Sequence, residues 1–179
     1  MKSSQDLFAE HIKSPELRNH CIEVSAIMRA LAKELGEDEE AWAAIGLLHD
    51  LDFETEKDLA THGKKTADML KQEGYSDEFV RAVLSHNEGG LGVKRESRME
   101  FCLSAADNIS GLIYAYGRVR KTLDGMEVAG LRKRMKEKSF AAAVRRDLIT
   151  DVEKAGIAID VFLDISIKAM QSIAKEIGF

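Results

Sequence analysis

The chain has one proline, two cysteines and few aromatic residues, 6% of its 179 positions. A lone proline and scarce β-branched alternation exclude a sandwich or barrel of short strands. Cys21 and Cys102 are too few for a disulfide framework. Both fall within helical patterns and read as reduced core thiols. No run reaches the ~18 apolar residues that a membrane span requires. The N-terminal MKSSQDLFAEHIK carries charges throughout and lacks the apolar stretch of a secretory leader. Positive excess is missing too: the formal charge is −5, which excludes the basic footprint of a duplex nucleic-acid binder. These absences predict a cytoplasmic protein with no membrane and no duplex nucleic acid as partner.

What remains is an ordinary globular composition, 45% hydrophobic and 32% charged. Apolar spacing is helical almost everywhere, which predicts an all-α fold, a single compact helical bundle. The expected domain covers residues 1–179, with a core over 14–121 and a C-terminal helical extension over 122–179. Ser14-Pro15 reads as an N-cap followed by proline at the first helical position. That helix runs to about Leu35 and stops at Gly36. Asp38 caps a second helix that carries Trp42, Ile45, Leu47 and Leu48 into His49-Asp50. Residues 51–59, LDFETEKDL, read as a loop. A third helix is expected over about 60–73, and a fourth from the cap Ser76 to His86. The glycine-rich NEGGLGVKRES that follows reads as a mobile loop or lid. A long helix then spans about Ser97 to Lys121, with further helices over 127–137, 139–155 and 158–177. The apolar positions Val161, Phe162, Ile165, Ile167 and Met170 on the last one are expected to fill the core rather than form a dimer seam.

The apolar run AWAAIGLLHDLD ends in His49-Asp50, two metal-ligand types side by side. Burying such a pair is costly unless a cation compensates it. Helical phase puts the other candidates inward as well. His20 lies between Leu17 and Val24 on the apolar stripe of its helix; His86 follows Phe79 and Val83; Asp107 follows Leu103 by four residues. His62 joins them, so four of the five histidines belong to the set, and His11 is left out. A single inward histidine is more often a hydrogen-bonded core residue. The whole set points to one or two divalent metal ions, and mixed imidazole–carboxylate donors suit Mn, Fe, Co, Ni, Zn or Mg without choosing among them.

The ordered pattern His20 … His49-Asp50 … Asp107, behind the apolar run, resembles the HD-domain superfamily of metal-dependent phosphohydrolases over residues 14–121. His62 in THGKK and His86 in LSHNEG match the two extra histidines of that family's two-metal members. The resemblance implies a helical bundle in which His20, His49, Asp50 and Asp107 hold one metal. Asp50 would bridge to a second metal held by His62 and His86. The whole chain is similar to small bacterial HDIG-type proteins that share its VRKT…RKRMKEKSFAAAVRRD stretch, although Leu51-Asp52 stands here where the HDIG motif has Ile-Gly.

A metal in such a site lowers the pKa of bound water and clamps phosphate, so hydrolysis of a phosphomonoester or phosphodiester is the natural reaction. The partner expected is a small phosphorylated substrate, a nucleotide above all, taken by a monomer or homodimer. Asp50 is the catalytic centre, and Asp52 or Glu54 could act as general acid or orient a water. Lys64 or Lys65 could reach a metal-held phosphate. Tyr114, Arg118 and Lys121 share the Asp107 face of the long helix and form a candidate substrate row. Arg118 lies ~16 Å along the axis from Asp107 at about 1.5 Å per residue, so it would serve a distal group. Equally, Arg118 and Lys121 could be solvated cations at a helix C-terminus. The run Arg132-Lys133-Arg134 reads as an exposed helix face. The competing reading of the whole is a non-catalytic regulatory module that keeps the metal site and senses a nucleotide.

Overall fold

The computed structural model describes residues 2–179 and contains helices and turns but no strand among them. Helix α1 (Ser4–His11) is set by a capping box between Ser3 and Asp6 and buries Leu7 and Phe8. This helix lies in the charged N-terminal stretch, where eight residues give too little periodicity to mark it. Helix α2 (Pro15–Leu35) starts at Ser14, whose hydroxyl accepts from the Leu17 amide, and ends at Gly36 with φ 71°. Helix α3 (Glu39–Leu48) is capped by Asp38 and ends at His49. These two helices meet at Gly46, where an added Cβ would lie 2.8 Å from the Ser25 backbone. Only glycine permits that approach.

Helix α4 (Lys64–Gln72) begins later than the sequence suggests, because Gly63 adopts φ 94° and leaves residues 60–62 in turns. Helix α5 (Asp77–His86) follows the Ser76 cap. The glycine-rich stretch expected as a lid is a short helix, α6 (Glu88–Leu91), seated on the preceding loop. Helix α7 (Arg98–Arg120) opens on a second capping box, Ser97 with Glu100.

The C-terminal third runs through α8 (Val128–Lys136), α9 (Arg146–Ile149), a 3-10 segment (Thr150–Ala155) and α10 (Ile159–Ser172). The single helix expected over 139–155 does not form. Ala141 takes φ 45°, and the Arg146 guanidinium donates to the carbonyls of Glu137, Phe140, Ala141 and Val144. A side chain therefore satisfies the carbonyls that a helix would have used. The last helix also stops at Ser172, short of residue 177.

One apolar core joins α2, α3 and α7 to the C-terminal segment, with Leu131, Ile149, Phe162 and Ile177 packed in the same cluster as Val24, Leu48 and Ile109. Phe162, Ile167 and Met170 of α10 are buried, while Val161 is exposed. Arg132 pairs with Asp160 and Arg134 with Glu137, so the basic run of α8 is a paired face. No helix among the described residues is long and apolar enough to cross a membrane.

Candidate metal centre

Three helix ends, those of α3, α4 and α5, and two helix interiors, those of α2 and α7, deliver the polar cluster. His49 sits where α3 stops and is fully buried. Its Nδ1 donates to the Gly46 carbonyl at 2.8 Å, which fixes the tautomer and leaves the Nε2 lone pair facing inward. That Nε2 is buried without a hydrogen-bond partner, 3.4 Å from Asp50 Oδ1 and 3.9 Å from Asp107 Oδ1. His20, from the middle of α2, places Nε2 3.1 Å from Asp107 Oδ1 and 3.7 Å from Asp50 Oδ2.

On the other side of Asp50, the same carboxylate faces His62 Nε2 at 3.1 Å and His86 Nε2 at 3.5 Å. The Nδ1 of His86 donates to the Val83 carbonyl, and that of His62 donates to Asp52 Oδ1 at 2.8 Å. The two Nε2 atoms are 3.0 Å apart. With both Nδ1 positions protonated, two lone pairs confront each other unless a proton or a cation lies between them. Ligand atoms of His20, His49 and Asp50 converge as one group, and those of Asp50, His62 and His86 as another.

The electrostatics describe what the cluster does without a cation. Burial alone would raise the pKa of Asp50, yet the surrounding imidazoles hold it well below the usual carboxylate range. Asp107 is likewise lowered against burial by its hydrogen bond with His20. Burial opposes charge on His20 and His62 too, but their carboxylate partners raise each to about 9. His49, enclosed completely, is lowered by burial. Protons on His20 and His62 thus balance the carboxylates. A divalent cation at each group would take their place, and the donor set fits one: an orphaned buried Nε2, a facing pair of Nε2 atoms and a shared carboxylate.

The cluster lies at the base of a cleft of about 1460 Å³. One wall is the loop after His49-Asp50, with Phe53, Lys57 and Leu59; another is α6; the third is residues 143–154. The sequence model of the HD domain matches residues 17–112. The chain belongs to the HD domain family. Ribonuclease Y of Pseudothermotoga lettingae is 31% identical over 170 residues, 89% of this chain and 31% of that protein. Ribonuclease Y of Desulfotalea psychrophila is 30% identical over 164 residues, 84% of this chain and 30% of that one. A third, from Oleidesulfovibrio alaskensis, is 32% identical over 99 residues, 55% and 18%. The chain therefore spans less than a third of the length of these relatives. No solved structure matches it.

The HD-domain match encloses all six candidate ligands, and the fold brings all six together: His20, His49, Asp50, His62, His86 and Asp107. His11 remains outside, in the last turn of α1. Asp52 is placed differently from a general acid. Besides His62, its carboxylate accepts from the Gly63 amide at 2.9 Å and the Thr66 amide at 3.2 Å. These bonds outweigh burial and lower its pKa. Glu54 is also tied, accepting from the Lys13 and Ser14 amides at the start of α2.

The five residues read as substrate ligands do not border the cleft. Lys64 is exposed on α4, and Lys65 pairs with Glu56 at 3.6 Å. Tyr114 packs edge-on against Phe179, with ring centroids 5.4 Å apart. Arg118 is exposed on the last turns of α7, and Lys121 caps that helix at φ 62°. The C-terminal segment lies over their face: at Gly111 a Cβ would be 3.5 Å from Val144. The cations that reach the cleft are Lys57, Arg95, Arg145 and Lys154. Arg95 bridges Glu88 and Asp151 and donates to the Ser85 carbonyl. Arg145 is joined through its amide to Asn108, next to Asp107. Lys57, Arg95 and Arg145 lie in loops and Lys154 in the short 3-10 segment, where no periodic signal marks them for sequence reading.

Proposed function

We propose that this HD domain is a metal-dependent phosphohydrolase that cleaves a phosphate ester of a nucleotide or another small phosphorylated metabolite. One cation would be held by His20, His49, Asp50 and Asp107, and a second by Asp50, His62 and His86. Bound there, the pair supplies water of lowered pKa and positive charge for the phosphate. The observation that carries this reading is the set of Nε2 atoms gathered around Asp50, above all the unpartnered one on His49.

The chain's own groups have distinct tasks in this reading. Asp50 faces both ligand groups and fixes their spacing. Asp52 keeps the proton of His62 on Nδ1 and so presents Nε2 inward, which makes Asp52 a positioning residue. Lys57 borders the open cleft and draws in an anionic substrate, while Arg145, on the segment over 143–154, is paired with Asp147. Arg145 and Asp147 come from beyond residue 122 and border the same cleft, which supports reading residues 1–179 as one unit.

The test is hydrolysis of p-nitrophenyl phosphate and bis(p-nitrophenyl) phosphate by protein loaded with Mn. Metal-dependent turnover that disappears in Asp50→Ala, with the helical fold retained, supports the enzyme. Metal binding without turnover on any ester would favour a nucleotide-sensing module instead. The Ribonuclease Y name of the relatives favours a second substrate reading, an RNA phosphodiester. Including a short single-stranded RNA among the substrates separates the two.

A further inference from the structure

Phe53, Leu59, Val119 and Val161 are the large apolar side chains left exposed among the described residues. Two of the four, Phe53 and Leu59, border the cleft, on the loop that follows the metal doublet. Phe53 is 36% exposed, and its ring lies edge-on to His62 with centroids 5.0 Å apart and planes at 75°. Apart from imidazoles it is the one aromatic ring on the cleft wall among the described residues. Lys57 stands between the two on the same loop, also facing the cleft, and no carboxylate of the described residues pairs with it.

This exposure is built in, because the loop is fastened at three points. Asp52 ties its start to the first turn of α4. Glu54 binds the amides at the N-terminus of α2. Asn87 donates to the carbonyls of Leu59 and His62, at 2.7 and 3.0 Å. At Gly90 a Cβ would lie only 1.8 Å from the Leu59 carbonyl oxygen, so the glycine lets α6 close against the loop. A rigid wall holding an uncovered aromatic ring beside a cation site is pre-organised for a planar partner. At about 1460 Å³ the cleft exceeds the roughly 300–1000 Å³ of an ordinary small-ligand site, which leaves room for a base and sugar beyond the phosphate.

We propose that the Phe53–Leu59 loop is a base-binding subsite: Phe53 stacks on the nucleobase of the substrate, Leu59 flanks it and Lys57 pairs with its phosphate. This inference rests on the phosphohydrolase reading and names the feature by which that site selects nucleoside phosphates. Base stacking on an aromatic side chain contributes about tenfold or more to affinity, and it needs a ring rather than mere apolar volume.

The experiment compares binding of adenosine 5′-monophosphate and ribose 5-phosphate to Mn-loaded wild type, Phe53→Leu and Phe53→Trp, with bound Mn counted in each. Wild type is expected to bind the adenine compound about tenfold more tightly. Phe53→Leu is expected to erase that gap with unchanged Mn content, and Phe53→Trp to restore it with quenching of the new indole by the nucleotide. Equal binding of the two probes by wild type overturns the proposal. So does an equal loss for both probes in Phe53→Leu, since the ring would then act only through His62. Preference for the nucleotide without hydrolysis of any ester would support the subsite and overturn only the catalytic reading.

Discussion

His62 and His86 face each other through Nε2 atoms 3.0 Å apart, while the Nδ1 of each is already bound to an acceptor. Two neutral imidazoles so arranged repel. The arrangement is stable only with something positive between them, and Asp50 3.1 Å from His62 supplies the matching negative charge. A proton can fill that role, because Asp50 and Asp52 raise His62 to about 9 against the effect of burial; a divalent cation fills it with ligand geometry already in place.

Asp52→Asn tests how far the second ligand group depends on its support. The amide cannot accept from His62, Gly63 and Thr66 as the carboxylate does, so His62 loses its fixed tautomer. Affinity for the second cation is expected to fall about 10–100-fold, with the first unchanged, as read by calorimetric titration with Mn. Equal weakening of both cations would show that Asp52 supports the fold in general.

Gly46→Ala tests the approach of α2 and α3. A Cβ placed 2.8 Å from Ser25 N and Cα and from the Val24 carbonyl must push backbone against backbone. The expected cost is about 1–3 kcal/mol, seen as a lowered Tm. Because the Gly46 carbonyl holds His49 Nδ1, Mn affinity is expected to fall as well. An unchanged Tm would rule out the tight crossing.

Glu23 is buried in α2 and outside both ligand groups, and burial pushes its pKa up from 4.5 to about 8. A raised folded-state pKa means stability that is complete below about pH 4.5 and is lost as pH rises through about 8. Glu23→Gln removes the charge and with it this loss. The variant is expected to gain on wild type from neutral pH to pH 9, by on the order of a few kcal/mol. Denaturation curves at pH 5 and pH 9 check this, and parallel curves would contradict it.

The helices that carry the ligands are legible because their signals are local. Ser14, Asp38, Ser76 and Ser97 cap α2, α3, α5 and α7 where the residue types indicate, and the apolar stripe puts His20, His86 and Asp107 inward. What depends on tertiary placement is not legible. Nothing near Asp52 in sequence shows that the start of α4 will fold over it. The stretch FAAAVRR has helical propensity, yet Arg146 takes its carbonyls and turns the chain so that Val144 and Arg145 reach the cleft. That same segment lies along α7 at Gly111, so a substrate row drawn along the helix from Asp107 to Lys121 leads away from the cleft.

The central claim is that one carboxylate, Asp50, joins two cation sites. Anomalous diffraction from crystals soaked in Mn measures this directly. The account predicts two peaks about 3.5–4 Å apart, both within ligand distance of Asp50, one beside His20, His49 and Asp107 and the other beside His62 and His86. A single peak, or two that do not share Asp50, would contradict it.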